Sequence, residues 1–166
     1  MENIAYFSLG SNIEPSLQYL KDGLHELSKK FTCQSISSVY KTQPVGDTDQ
    51  PFFLNICAKY TTSMNDPFEV LAIINEIETK LGRIRNPLRT KGPRVIDIDI
   101  LLFNTMDIKT DRLIIPHSSM FERNFVLIPL LDILDEEKKN DYKILECIAR
   151  NPQLIVEKLE KIRFDR

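Results

Sequence analysis

No tryptophan occurs among the 166 residues, and there are only three cysteines, two histidines and five glycines. Each shortage closes a class of function. Cys33, Cys57 and Cys147 are odd in number, far apart and never arranged as C-x-x-C, which argues against a disulfide framework and a structural zinc site alike. With Gly10, Gly23, Gly46, Gly82 and Gly92 as the whole glycine complement, neither G-x-x-x-x-G-K-[ST] nor G-x-G-x-x-G can be written, and P-loop and Rossmann nucleotide sites are excluded. His25 and His117 are too few for a histidine-based zinc centre, and no G-x-S-x-G elbow is present. Neither sign of charge dominates: 22 Lys and Arg against 24 Asp and Glu leave a net charge of -2, so no global basic field draws in nucleic acid. The apolar runs are broken by acids such as Asp97 and Asp99 and fall short of the roughly 20 residues that span a bilayer. Met1-Glu2-Asn3-Ile4 lacks the basic and apolar regions of a secretory signal. The expectation is one cytoplasmic domain over residues 1–166, with no nucleic-acid or membrane partner; 42% hydrophobic and 28% charged residues suit such a domain.

What is present reads as strands and helices in turn. Residues 4–9 set Ile4, Tyr6 and Ser8 against Ala5, Phe7 and Leu9, apolar on both sides, as in a strand buried on both faces that stops at Gly10. Leu17, Leu20, Leu24 and Leu27 then fall on one helical stripe, which Phe31 closes. Residues 35–40 and 52–62 are β-rich and read as partner strands joined by a polar connection containing Gly46. The second helix has the fullest punctuation: Asp66 as cap, Pro67 at its first position, Glu69 to complete a capping box, Phe68, Leu71, Ile74, Glu78 and Leu81 along it, and Gly82 to stop it. Residues 95–103 return as a strand. Strand, helix, strand, strand, helix, strand is the split βαβ order, so the expected fold class is α+β: a ferredoxin-like βαββαβ core, an antiparallel sheet with helices packed on it. Beyond Leu130, a charged stretch (132–141) and two helical patterns, Ile144/Leu145/Ile148 and Ile155/Val156/Leu159/Ile162, predict a C-terminal helical extension. No linker or repeat marks a second domain.

In the last core strand, period-2 alternation puts Asp97 and Asp99 on one face and Ile96, Ile98 and Ile100 on the other. At about 3.4 Å per residue their α-carbons lie roughly 7 Å apart, and two anions in one space repel unless a cation stands between them. Mg²⁺ suits such a pair, because it keeps waters and takes one or two carboxylates plus substrate phosphates. A solvated strand face, or salt bridges to nearby arginines, would suit it as well. Immediately upstream, residues 82–94 hold Arg83, Arg85, Arg89, Lys91 and Arg94 with no acid among them, a local anion trap on a segment rich in Pro and Gly. Alone it reads as a basic surface loop. Running straight into paired carboxylates, it reads as a metal–polyphosphate site in which metal and arginines share the neutralisation of a triphosphate. His25 falls beside the leucine stripe, at the surface; His117, ahead of Glu122, Arg123, Asn124 and Phe125, is either a loop histidine bonded to backbone or part of that site.

Six segments, in order, resemble one family, the 6-hydroxymethyl-7,8-dihydropterin pyrophosphokinases of folate biosynthesis. They are Leu9-Gly10-Ser11-Asn12; Ser37-Ser38-Val39-Tyr40-Lys41-Thr42-Gln43-Pro44-Val45-Gly46; Asp49-Gln50-Pro51 with Phe53-Leu54-Asn55; Ile77-Glu78 with Leu81-Gly82-Arg83 and Arg85; Gly92-Pro93-Arg94 with Asp97-Ile98-Asp99-Ile100-Leu101; and Pro116-His117 with Arg123 and Phe125-Val126-Leu127. The resemblance implies transfer of the pyrophosphoryl group of ATP to the hydroxymethyl oxygen of the pterin, with release of AMP. It implies two Mg²⁺ ions held by Asp97 and Asp99. Thr42, Pro44 and Val45 would present backbone to the pterin edge, Asn55 would bond its ring nitrogens, and Phe53 and Phe125 would stack on the ring. ATP would be held by Glu78, Arg85, Arg89, Arg112, His117 and Arg123, with Asn75 and Ile100 near the nucleoside, while Arg83 and Arg94 stabilise charge as the phosphoryl group moves. The implied partners are these two small molecules, and the protein is expected to be a monomer. Paired aspartates and a basic loop serve attack at β- or γ-phosphorus alike; attack at β is implied by the resemblance alone.

The chain departs from the family pattern twice. The family commonly has Arg-Trp before Gly-Pro-Arg, whereas Arg89-Thr90-Lys91-Gly92-Pro93-Arg94 has no tryptophan and one extra residue, so a less tightly sealed loop is expected. Asn124 stands where glycine is frequent, and because asparagine tolerates left-handed backbone the turn into Phe125 is expected to survive. Two other readings of the fold compete: a nucleotide-sensing module that binds through the arginines without a metal pair, and an RNA-binding domain, which would need exposed aromatics on an RNP-like strand and a basic sheet face that the sequence lacks.

Overall fold

In the computed structural model, which describes residues 2–84, 87–152 and 155–163, the two-sided apolar strand is β1 (Asn3–Ser11), and it runs on through Gly10. A glycine inside this strand has a steric reason: a Cβ on Gly10 would stand 2.6 Å from Asn55 Oδ1, so the missing side chain makes room for Asn55. α1 (Ser16–Lys30) buries Leu20, Leu24 and Leu27, while Leu17, 41% exposed, lies off the stripe. The β-rich stretch expected as one strand at 35–40 is two, β2 (Thr32–Ile36) and β3 (Ser38–Thr42). Ser37 makes the break: its N–H donates to the Cys57 carbonyl and its Oγ accepts the Cys57 N–H, each at 2.9 Å. Both strands pair with β4 (Phe53–Thr62).

α2 (Pro67–Lys80) starts where its punctuation says, with the Asp66 carboxylate accepting the Phe68 N–H at 2.9 Å, a cap that contributes about 1 kcal/mol. It ends on Gly82 at φ +96°, with Gly82 N–H on the Thr79 carbonyl and Arg83 N–H on the Glu78 carbonyl, a Schellman closure that requires the left-handed residue. The closure turns Arg83 back beside Glu78. β5 (Asp97–Phe103) follows, and then a short hairpin of β6 (Ile108–Lys109) and β7 (Ile114–Ile115) that the periodicity did not predict.

The sheet order is β5-β1-β4-β3-β8, with β8 at Ile155–Lys161 and β2 also on β4, every pairing antiparallel. β4 separates β1 from β2 and β3, and β1 separates β4 from β5, the split βαβ arrangement that the element order implies. α1 and α2 pack on one face through Phe7, Leu9, Ile56, Ile98 and Ile100. The other face carries Tyr6, Cys57, Leu101 and Leu102 under α3 (Asn124–Leu131) and α5 (Ile144–Arg150), with α4 (Glu136–Asp141) between those helices in sequence. Between Tyr6 and Phe7 the β1–β5 register slips by one residue, leaving Leu101 without an opposite number. Its carbonyl instead accepts the His117 N–H at 3.0 Å, so the irregularity anchors the His117 loop to the sheet.

The C-terminal extension is only partly helical. Residues 155–162, which fit a helical spacing, form β8 (Ile155–Lys161) along β3. A stretch this short gains little from an isolated helix, whereas the open edge of β3 offers it backbone partners from Ser38 to Thr42. Asn124 needs no left-handed backbone, since it opens α3, and its side-chain amide donates to the Ile148 carbonyl at 3.3 Å. No helix among the described residues is long and apolar enough to cross a membrane.

Candidate active site

Because side chains alternate across the sheet, Ser8 and Gly10 on β1, Asn55 on β4, and Asp97 and Asp99 on β5 share one face. α3 covers that face toward the middle of the sheet and leaves its end open. There a cleft of about 620 Å³, its mouth included, is lined by Thr42, Val45, Phe53, Asn55, Arg94, Asp97, Asp99, Arg123 and Phe125, together with Ser8, Gly10, Gln43 and Lys91, a volume suited to a small molecule. Asn55 Nδ2 donates to Thr42 Oγ1 at 2.6 Å, locking two polar groups of the wall to each other. The Arg94 guanidinium lies 5.2 Å from the centre of the Phe53 ring, and the Arg123 guanidinium 5.6 Å from that of Phe125. Pro44, half-buried, flanks the wall without lining it.

A second cleft opens at the sheet edge beyond β5, lined by Ile98, Ile100, Leu71, Arg112, Leu113, Ile114 and His117. Asp99 lines both clefts. Asn75 is exposed one helical turn beyond Leu71, on the same side of α2. Arg112 stands over the Phe68 ring at 5.3 Å. A third hollow is formed by the basic segment itself and is lined by Arg83, Arg89 and Arg94. Arg85 lies outside the described residues.

The two aspartates differ in their surroundings. Asp97 is neutralised from both sides: Arg83 Nη1 reaches Oδ1 at 2.8 Å and Arg94 Nη1 reaches Oδ2 at 3.4 Å. Arg83 is held in turn by Glu78, with which it forms a close ion pair. Glu78 is only 3% exposed, and its carboxylate also accepts the Ile98 N–H at 3.0 Å. Burial pushes its carboxyl above the usual range, against the pull of the Arg83 charge. Asp99 is pushed up to about 7, first by burial and then by the charges of Asp97 and Glu78, with Arg123 and Arg83 pulling the other way. His117 Nε2 stands 3.9 Å from its carboxylate. Burial, and next the Arg123 charge, lower the His117 pKa. Its Nδ1 accepts the Ser119 N–H at 3.2 Å, so the ring is neutral and carries its proton on Nε2, facing Asp99. Among the described residues no group of three or more His, Cys, Asp or Glu side chains could hold a metal ion. Two carboxylates side by side, one of them raised by burial and by its acidic neighbours, suit a cation that completes its shell with water and phosphate oxygens, as Mg²⁺ does.

Arg89 turns away from the aspartates. It forms a close ion pair with Asp47 and also donates to the Asp49 carbonyl, tying the basic segment to the connection between β3 and β4. Asn12, Asp47 and Gln50 were given no role by the sequence, although Asn12 and Gln50 stand in the segments that carry the resemblance; nothing in their type or spacing distinguishes a polar loop residue from a buried strut.

A family profile for 7,8-dihydro-6-hydroxymethylpterin-pyrophosphokinase matches residues 6–135. The chain is 46% identical over 141 residues to the 2-amino-4-hydroxy-6-hydroxymethyldihydropteridine pyrophosphokinase of Bacillus subtilis, covering 84% of this chain and 83% of that one. It is 38% identical over 134 residues to the protein of the same name from Haemophilus influenzae, covering 80% and 82% respectively. A solved structure described as HPPK-DHPS in complex with substrates superposes with a TM-score of 0.68 at 17% identity, over 90% of this chain and 43% of that one; it is similar in fold, and this chain spans less than half its length. The chain therefore belongs to the 7,8-dihydro-6-hydroxymethylpterin-pyrophosphokinase family.

Proposed function

We propose that the two clefts separate the two substrates of the family's reaction, with the pterin against Thr42, Val45, Phe53, Asn55 and Phe125, and ATP at the sheet edge against Ile100, Arg112 and His117. The reaction moves the pyrophosphoryl group of ATP to the hydroxymethyl group of 6-hydroxymethyl-7,8-dihydropterin, in folate biosynthesis. A bond forms between the hydroxymethyl oxygen and the β-phosphorus, the α–β bridge breaks, and AMP leaves. The observation that carries this reading is Asp99, which lines both clefts and so stands where a group passing from one to the other must travel.

Asp97 and Asp99 would hold Mg²⁺, two ions in this reading. Bound there, Mg²⁺ supplies charge neutralisation at the phosphate oxygens and lowers the pKa of a coordinated hydroxyl. Arg83 and Arg94 flank Asp97 from opposite sides, which supports a role for both guanidinium groups at the transferring phosphates, where fixed positive charge acts most strongly. Glu78 works through Arg83, holding it from beneath, rather than through the nucleoside. Arg89 reaches phosphate only after leaving Asp47. The neutral His117 offers its Nε2–H as a donor, and Arg123 contributes charge from the cleft wall. Asn75 stays near the nucleoside, and the backbone of Pro44 beside the pterin edge. The chain acts as a single domain and a monomer in the cytoplasm, on small molecules alone; a net charge of -2 supports the last point.

Separate clefts predict separable affinities. Phe125→Ala should raise the KM for the pterin about tenfold, since a stacked ring contributes roughly 1 kcal/mol beyond its buried area, and leave that for ATP within about twofold. Arg112→Ala should do the reverse. Steady-state kinetics with each substrate varied in turn reads this, and two variants that both shift the same KM would contradict the division.

A further inference from the structure

β1 is paired with β4 along its whole length and with β5 from Ala5 to Gly10. The residue that follows it, Asn12, is 3% exposed. Its side-chain oxygen accepts the Arg94 N–H at 2.9 Å, and its own N–H returns a bond to the Arg94 carbonyl at 3.2 Å. Its amide nitrogen donates to Gln50 Oε1 at 2.9 Å and to the Pro51 carbonyl at 3.1 Å. A backbone N–H can only donate and a carbonyl can only accept, so these partners fix which way round the amide stands. Gln50 in turn donates to the Lys91 carbonyl at 2.7 Å. One buried side chain thus ties the end of β1 to the basic segment at position 94 and to the pterin side at positions 50 and 51, and Gln50 carries the tie on to position 91. From this node the Arg94 guanidinium runs out to the site, steadied by the Gly92 carbonyl at 2.8 and 3.0 Å, over Phe53 and against Asp97.

We propose that Asn12, which lines neither substrate cleft, is a positioning residue for Arg94: it fastens the Arg94 main chain to the rigid end of β1 so that the guanidinium meets the transferring phosphates. The inference rests on the assignment of Arg94 to those phosphates. A displacement of about 1 Å at a catalytic group costs on the order of 100-fold in rate, and Asn12→Ala removes three side-chain bonds that prevent one. Its kcat should fall about 10- to 100-fold, with the KM for ATP within about threefold.

A double-mutant cycle separates positioning from a general loss of structure. If Asn12 acts through Arg94, the Asn12→Ala/Arg94→Ala double variant is slower than Arg94→Ala alone by no more than about twofold. Losses in kcat that multiply would overturn the inference while leaving Arg94 in place. A wild-type kcat for Arg94→Ala alone would instead overturn the assignment of Arg94, and the inference with it. Thermal melts accompany each variant, and Asn12→Ser, which keeps a polar group in the buried site but cannot reach all three partners, enters the same cycle if the alanine variant does not fold.

Discussion

Alanine at Asp97 or Asp99 removes a carboxylate from the sheet face opposite the α1–α2 core, which Ile98 and Ile100 fill. Either variant should therefore fold and lose turnover. Each should also lose the rise in Tm that Mg²⁺ adds to that given by ATP alone, a linkage that needs no catalysis to be read. Near-wild-type turnover in Mg²⁺ by either variant, or an undiminished Mg²⁺-dependent rise in Tm, would contradict the metal assignment. The pairing of these aspartates was legible because a strand's period of two is rigid: D-x-D in a strand can face only one way. Their unequal neutralisation was not. Arg83 arrives at Asp97 through the turn at Gly82, Arg94 from three residues upstream, and Glu78 joins Arg83 from the buried side of α2; only the folded chain brings these separations of 3 to 19 residues together at one carboxylate.

At the scale of elements, the ion pair of Arg89 with Asp47 joins two segments that the sequence keeps 42 residues apart. Asp47→Asn should release this contact, and amide exchange at residues 87–94 in the free protein should speed up; unchanged exchange would show that Gln50 and Asn12 suffice to hold the segment. The Arg89 guanidinium keeps the Asp47 carboxyl below its usual range. A group lowered in the folded state contributes above its ordinary pKa and ceases to as pH falls through the lowered value, so wild-type exchange should approach that of Asp47→Asn only under acid conditions. α2 was legible because Asp66, Pro67 and Gly82 each impose a local conformation. α3 was not, because its run from Phe125 to Leu131 is apolar on every side and contains Pro129, which leaves no periodicity to read. β8 was misread because Ile155, Leu159 and Ile162 suit a helix stripe, and the edge of β3 that overrides this preference lies more than a hundred residues away.

Across the whole molecule, the order of elements gave the split βαβ sheet, and the third layer came from the helices after Leu113, which the periodicity only partly described. That layer matters for function, because α3 covers the sheet face that carries the aspartates and leaves open the end where Phe125 and Arg123 stand over it. The β5 edge opens the second cleft, and the two meet at Asp99. Paired carboxylates among arginines would serve attack at either phosphorus, so the identity of the product tests the account most directly. Purified protein incubated with ATP, Mg²⁺ and 6-hydroxymethyl-7,8-dihydropterin, with the adenine nucleotides separated afterwards, should form AMP only when the pterin is present. Formation of ADP in its place, or tight binding of ATP with no turnover, would contradict pyrophosphoryl transfer by this chain.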